Sequence, residues 1–222
     1  MTGGAIGVVQ IAEGCLGSCR YCITHQARGR LRSQPEDVIS ATVRMLVKQG
    51  AREVQLTAQD VASWGIDRGQ CLRDLLSRLL DLPGSFRLRL GMMNPRTLLP
   101  IIDDLIPLLS HPKMYQFVHV PFQSGSDEIL TAMDRRYTKE QCLSISKKLR
   151  TAYPNLWLST DIIACFPGEN EAAFHNTVDL IKAIRPDNVN STRFSRRPGT
   201  AAWSLPDMLE RVKKERSRLL TE

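Results

Sequence analysis

Three cysteines stand within eight residues in the stretch Gly14-Cys15-Leu16-Gly17-Ser18-Cys19-Arg20-Tyr21-Cys22, in the spacing C-x3-C-x2-C. Thiolates that close together usually serve a metal, as iron–sulfur cluster or zinc ligands. A structural zinc site needs four donors. His25 follows Cys22 at an x2 spacing, so Cys15, Cys19, Cys22 and His25 together make one conceivable Cys3His site. Such sites usually staple domains too small to build a core. A [4Fe–4S] cluster on three cysteines instead leaves one iron open to a substrate or cofactor, which suits an enzyme loop. Cys71 and Cys142 read as ordinary packed thiols; Cys165 falls at the end of the fifth predicted strand, near the site by topology, and a second cluster built from these three has no supporting spacing.

The elements that position the loop follow from hydrophobic periodicity. Residues 7–12 form a short apolar run ahead of the cysteines and predict a first strand. Further strands are predicted at 53–57, 86–90, 116–120, 156–163 and 188–194. Helices are predicted between them: one starting at Ser33–Asp37 and stopped by Gly50, then 72–82, 95–109, 128–133, from Thr138 to about residue 153, and about 171–184. Thr138-Lys139-Glu140-Gln141 matches a capping box, and residues 58–70 read as a polar loop. A charged terminal helix is predicted from about Pro206. Six strands alternating with helices predict an α/β fold with parallel strands and right-handed crossovers, either an open sheet or a full or partial barrel. Both architectures place function at the C-terminal strand ends. The unusual polar residues fall there: Gln59 and Asp60, Asn94, Gln123 and Ser124, Asp161, and Arg193.

The 222 residues carry 30 Lys+Arg against 23 Asp+Glu, a net charge of +7. That balance is compatible with a polyanionic partner and equally with an ordinary basic enzyme. No apolar run approaches a membrane span and no signal peptide is recognisable, so a cytoplasmic location without membrane contact is expected. Clustered cysteines then argue for metal or catalytic chemistry rather than a disulfide framework.

The cysteine spacing, followed by six β/α units, resembles the radical S-adenosylmethionine (SAM) superfamily. Ala27-Arg28-Gly29-Arg30, the run Val120–Asp127, Ser159-Thr160-Asp161-Ile162-Ile163, Phe166-Pro167-Gly168-Glu169 and Arg197-Pro198-Gly199-Thr200 resemble the methylthiotransferases within it. Ile23-Thr24, Leu56-Thr57-Ala58-Gln59-Asp60 and Gly91-Met92-Met93-Asn94-Pro95 resemble the subgroup acting on N6-threonylcarbamoyladenosine in tRNA. The resemblance covers essentially the whole chain. It implies a partial (β/α)6 TIM-like barrel over residues 1–204, with 205–222 a terminal helix leading towards an RNA-binding domain. It also implies that Cys15, Cys19 and Cys22 hold a [4Fe–4S] cluster whose open iron chelates SAM. A 5′-deoxyadenosyl radical then attacks the modified adenosine next to the anticodon, which becomes its 2-methylthio derivative.

Under the same resemblance, Tyr21 lies beside the SAM adenine, and Gln59, Asp60, Gln123, Ser124, Asp161 and Arg193 are candidate SAM contacts. Each of these polar residues has an alternative role as a helix cap or loop-closing hydrogen bond, and Arg193 could equally face RNA phosphate. Arg28, Arg30 and Arg32 are candidate contacts to a tRNA anticodon stem-loop, whose unpaired bases can be splayed into a pocket; they could also be solvated surface charges. A one-electron donor, reduced flavodoxin- or ferredoxin-like, is the other implied partner. The family's N-terminal domain, with a second [4Fe–4S] cluster, and its C-terminal domain have no counterpart in these 222 residues. The expectation is therefore SAM cleavage by this core without full turnover. The rival expectations are a methylthiotransferase for isopentenyladenosine in tRNA or a ribosomal protein side chain, and a non-catalytic metal-stabilised RNA-binding module.

Overall fold

The computed structural model describes residues 5–220; residues 1–4 and 221–222 of the predicted boundaries lie outside them. In chain order the elements are β1 (Ile6–Gln10), β2 (Ala12–Glu13), α1 (Thr24–Arg28), β3 (Arg32–Ser33), α2 (Glu36–Lys48), β4 (Glu53–Thr57), α3 (Leu72–Leu80), β5 (Arg87–Leu90), α4 (Pro95–Leu98), α5 (Ile102–Leu108), β6 (Phe117–His119), α6 (Asp127–Ala132), α7 (Lys139–Ala152), β7 (Trp157–Ala164), α8 (Glu171–Ile184), β8 (Asn188–Arg193) and α9 (Glu210–Leu219). The six predicted strands are all present, and the fold class is α/β. None of the helices among the described residues is long and apolar enough to cross a membrane. The chain divides into two compact units: Met1–Leu16 with Arg28–His119, and Gly17–Ala27 with Val120–Glu222.

In the first unit β1, β4 and β5 lie parallel in the order β1-β4-β5, with Val9 opposite Leu56 and Val54 opposite Leu88. Period-two alternation turns Val54, Leu56, Leu88 and Leu90 to the buried face and leaves Glu53, Gln55, Arg87 and Arg89 on the other. The buried face is covered from helices such as α3, where Leu72, Leu75, Leu76, Leu79 and Leu80 are all buried. Full burial of each such side chain contributes about 1.5–3 kcal/mol. On the opposite face the Arg89 guanidinium stacks 4.1 Å from the Phe117 ring centroid.

In the second unit β7 and β8 run parallel, with Ser159 opposite Asn188 and Ala164 opposite Arg193. The segment from Val120 extends this arrangement: the Val120 amide donates to Ser159 O (2.9 Å) and the Gln123 amide to Asp161 O (2.8 Å). Buried Thr160 donates to Val120 O (2.7 Å) and accepts from the Phe122 amide (3.2 Å). The capping box opens α7 as its sequence predicts: the Gln141 amide donates to Thr138 Oγ1 (3.3 Å) and the Thr138 amide to Gln141 Oε1 (3.0 Å).

Three expectations need correction. The helix predicted over 95–109 is broken into α4 and α5 by a tighter turn at Leu99–Ile101, because Pro100 has no amide to continue the ladder. The stretch read as a polar loop after β4 is in fact packed: Val61, Ala62, Ser63 and Trp64 are buried, and the Trp64 indole donates to Gln34 O (3.1 Å). The first strand stops at Gln10, and Ala12 and Glu13 pair antiparallel with Ser33 and Arg32.

Candidate functional site

The antiparallel pairing of β2 with β3 zips the base of the cysteine loop. The Gln34 amide donates to Ile11 O (2.8 Å) and the Cys15 amide to Gly29 O (3.2 Å). At this base Gly14 has φ 77°, and a Cβ there would sit 2.1 Å from Arg30 O. Only glycine satisfies both the left-handed conformation and the close approach. Arg28 pairs with Glu13 (3.1 Å), and Arg28, Arg30 and Arg32 are all exposed.

The loop's tip, 17–27, belongs to the second unit. There the Arg20 amide donates to Met133 O (3.1 Å) and the Ala202 amide to Arg20 O (2.9 Å). Ser18 hydrogen-bonds to Asp134, and Gln26 to Gly199 O. Tyr21 packs edge-on to Phe166, whose ring in turn meets Phe194 at 5.2 Å. These rings join Ile129, Met133, Ala173 and Ala202 in one buried apolar cluster. Burial pushes the Tyr21 phenol above its ordinary pKa against the pull of the Arg135 guanidinium, so it stays neutral at physiological pH.

No disulfide joins the six cysteines. Cys15, Cys19 and Cys22 are half-buried; Cys22 Sγ accepts from the Thr24 amide (3.4 Å) and Cys19 Sγ from Arg135 Nη1 (3.1 Å). Hydrogen-bond donors on the ligating sulfurs are a recurrent feature of iron–sulfur centres. Among the described residues no three His, Cys, Asp or Glu side chains converge as for one metal ion. Cysteine sulfurs on one loop, two of them accepting hydrogen bonds, are a donor set that an iron–sulfur cluster takes. Cys142 and Cys165 are buried, their thiols pushed up by burial to about 12 and about 11. Both remain protonated at physiological pH; for Cys142 this agrees with the packing role its sequence position suggests.

Within the second unit a concavity of about 400 Å³ opens at the finishing ends of β7 and β8, lined by Tyr21, Gln123, Asp161, Asn190, Arg193 and Phe194 among others. Gln123 has φ 68°, and its Oε1 is buried without a hydrogen-bond partner. Such an orphaned acceptor is costly unless a ligand completes it. Asp161 Oδ1 accepts from Asn190 (2.8 Å), and Arg193 pairs with Glu210 (3.3 Å). This cavity and its unmet acceptor fit a SAM-sized ligand with hydrogen-bond donors.

The other predicted polar residues are placed differently. Ser124 is fully buried; its Oγ lies 3.3 Å from Thr177 Oγ1 and accepts from the Ser126 amide (3.1 Å). Buried Asp60 accepts from the Asn94 amide (3.0 Å) and Thr97 Oγ1 (2.7 Å), holding the turn into α4. Gln59, in the first unit, carries a second buried Oε1 without a partner. Glu169 accepts from the Cys165 amide (2.8 Å) and pairs with Arg216 (2.9 Å), which locks the exit turn of β7 to α9.

Arg135 was not visible from sequence. It reads there as one of two adjacent arginines in a basic chain. In the structure it is buried, and its guanidinium reaches Cys19 Sγ, Tyr137 OH (2.9 Å) and Pro121 O (3.2 Å). The only signal was its place between a helix and a capping box.

Comparison with known proteins follows this geometry. The family model described as Radical SAM superfamily matches residues 9–181. A probable threonylcarbamoyladenosine tRNA methylthiotransferase of Archaeoglobus fulgidus is 46% identical over 98% of this chain and 52% of its own length. A tRNA-2-methylthio-N(6)-dimethylallyladenosine synthase of Acetivibrio thermocellus is 39% identical over 96% of this chain and 45% of its own. The chain thus spans about half the length of the curated relatives it matches. Among solved structures, the radical S-adenosylmethionine methyltransferase TsrM of Kitasatospora setae, solved with cobalamin and a [4Fe-4S] cluster, superposes with a TM-score of 0.74. It is 18% identical and is matched over 89% of this chain and 36% of that one, a likeness of fold.

Proposed function

The chain belongs to the radical SAM superfamily, and from that premise we propose that it is the radical SAM core of a tRNA methylthiotransferase, converting N6-threonylcarbamoyladenosine to its 2-methylthio derivative. The observation that carries this reading is the 46% identity, over nearly the whole chain, to a protein named for that substrate. Cys15, Cys19 and Cys22 hold a [4Fe–4S] cluster, and SAM occupies the concavity bordered by Tyr21, Gln123 and Asp161. When bound, the cluster and SAM supply one-electron radical chemistry.

The protein's own contribution is binding, orientation and exclusion of water. Gln123 offers its unmet oxygen to a donor on the cofactor. Neutral Tyr21, backed by Phe166, gives a flat apolar wall suited to an adenine ring. Asp161, already oriented by Asn190, presents a carboxylate to a hydroxyl or ammonium group. Arg30 and Arg32 face solvent at the base of the cysteine loop and serve RNA phosphate, with Arg28 tied to Glu13. A single-stranded anticodon loop and a low-potential one-electron donor are the partners this reading requires.

Anaerobic reconstitution of the chain tests the core reading. About four irons per chain with matching sulfide, and 5′-deoxyadenosine formed from SAM, are expected. One zinc per chain and no SAM cleavage would overturn it. Nucleoside mass spectrometry of tRNA from cells lacking the gene tests the substrate: the 2-methylthio form of N6-threonylcarbamoyladenosine should disappear. Loss of the dimethylallyladenosine derivative instead would favour the second reading, which rests on the 39% identity to a synthase of that nucleoside.

A further inference from the structure

The best-anchored polar group beside the cysteine loop is Arg135. The chain reaches it through a turn with two non-glycine residues in the left-handed region, Asp134 at φ 57° and Arg136 at φ 32°. Such residues are uncommon, because the left-handed region crowds Cβ against the following carbonyl. The turn is held by Arg136 Nε on Asp134 Oδ1 (2.9 Å) and by the Ser18–Asp134 contact, so both flanking side chains face outward and tie to the loop tip. Arg135 between them is turned inward and is 7% exposed.

Its planar fork is divided among three partners. Nη1 donates to Cys19 Sγ (3.1 Å), Nη2 to Pro121 O (3.2 Å) and Nε to Tyr137 OH (2.9 Å). Tyr137 OH lies within donating distance of Pro121 O (3.2 Å) and Phe122 O (2.9 Å). No carboxylate neutralises this buried guanidinium among its contacts. Cys19 Sγ, the ligand sulfur of the proposed centre, stands where a countercharge would. One cation therefore connects a cysteine sulfur to the Pro121 carbonyl, two residues ahead of Gln123 at the concavity.

We propose that Arg135 is a positioning residue of the iron–sulfur centre, donating to the Cys19 ligand sulfur, fixing it against the Pro121–Gln123 segment, and raising the centre's reduction potential. The inference rests on Cys19 being a cluster ligand. Its physical basis is general: reduction adds negative charge, and a fixed cation with a hydrogen bond to a ligating sulfur favours the reduced form. A desolvated guanidinium at this range acts strongly because little water screens it. Tyr137 acts one step further out, by keeping the fork in its plane.

The test is an EPR-monitored redox titration of the full chain, loaded anaerobically with iron and sulfide, comparing wild type with Arg135→Met, Arg135→Lys and Tyr137→Phe. At a fixed potential the reduced-to-oxidised ratio of Arg135→Met should fall about tenfold, which is about 59 mV for a one-electron couple. Arg135→Lys keeps the charge without the fork and should move less in the same direction, as should Tyr137→Phe. A cluster-loaded Arg135→Met with the wild-type potential overturns the proposal. If that variant retains no cluster, wild-type potentials in both Arg135→Lys and Tyr137→Phe overturn it equally. Absence of a cluster in the wild type overturns the reading of the cysteines, and this inference with it; a wild-type cluster whose potential ignores all three changes overturns this inference alone.

Discussion

Two sets of polar side chains stand at strand ends in this molecule, and they differ in what already holds them. Asp60 after β4 and Ser124 after the Val120–Gln123 segment are buried and engaged: one by Asn94 and Thr97, the other by Thr177 and Ser126. Gln123 and Asp161 at the finishing end of β7 border an open concavity, and Gln123 keeps a buried oxygen with no partner. By residue type and topology the two sets look alike. Their surroundings separate them. The first set closes turns; in the second Asp161 is held by Asn190, and Gln123 keeps the unmet acceptor. A strand-end position thus locates a site in an α/β fold, while the pattern of satisfied and unsatisfied atoms says which residues there can serve it.

The sharpest way to break this contrast is to disturb the closed set. At Gly125 a Cβ would lie 2.3 Å from Asn176 O and 2.7 Å from Thr177 Cα, backbone atoms of α8 that cannot swing aside. Gly125→Ala should therefore destabilise the second unit by about 3 kcal/mol, at the upper end for overpacking, read by urea denaturation. Asp60→Ala strands the half-buried Asn94 amide, while the Thr97 hydroxyl keeps Asn94 O (3.0 Å), and should cost about 1–2 kcal/mol. Its folded fraction should bind SAM like wild type. A variant as stable as wild type with SAM binding abolished would move Asp60 into the other set.

The open set should behave in the opposite way. Gln123→Ala removes a buried side chain whose oxygen bonds to nothing in the protein, so stability should fall by no more than about 1 kcal/mol. SAM affinity of the reconstituted chain, measured by equilibrium dialysis, should fall about tenfold, equivalent to ~1.4 kcal/mol. Unchanged affinity would show that the unmet acceptor serves something other than this cofactor.

Local rules were legible in the sequence, and tertiary assignments were not. The α/β alternation follows from period, and the cap at Thr138 follows from short-range chemistry. The cysteine loop announces itself by spacing alone. By contrast, the β2–β3 pairing that closes this loop is two residues long on each side, below what periodicity can detect. Trp64 lies in a run punctuated by Gly65 and Gly69, so its burial under the Gln34 carbonyl had no local sign. Arg135 is the extreme case. Its role depends on two left-handed non-glycine residues and on partners 14 and 116 positions away. The same holds for Asp60 against Gln123: which oxygen is satisfied is a property of the fold around it, not of the residue.

The starting end of β7 and β8 offers the mildest test, because these two strands border a concavity at one end and are tied by an ion pair at the other. Asp187, just before β8, accepts from the Leu158 amide (2.8 Å) and from Arg150 Nη2 (2.7 Å). Partial burial opposes the Asp187 charge, but these two donors outweigh it and hold its carboxyl below the ordinary value of 3.8. A carboxylate depressed in the folded state stabilises above the unfolded value, and that stabilisation is lost as pH falls through the folded one. Asp187→Asn keeps an acceptor for the Leu158 amide and removes only the charge. Because the pair is partly solvent-screened, the loss at pH 7 should be under ~1 kcal/mol. The difference from wild type should be constant from pH 7 down to about 5 and shrink below pH 4, as followed by thermal denaturation at each pH. A gap that widens on acidification would mean that Asp187 is not ionised in the folded protein. The closed end would then be held by neutral hydrogen bonds alone, and the contrast between the two strand ends would rest on geometry rather than charge.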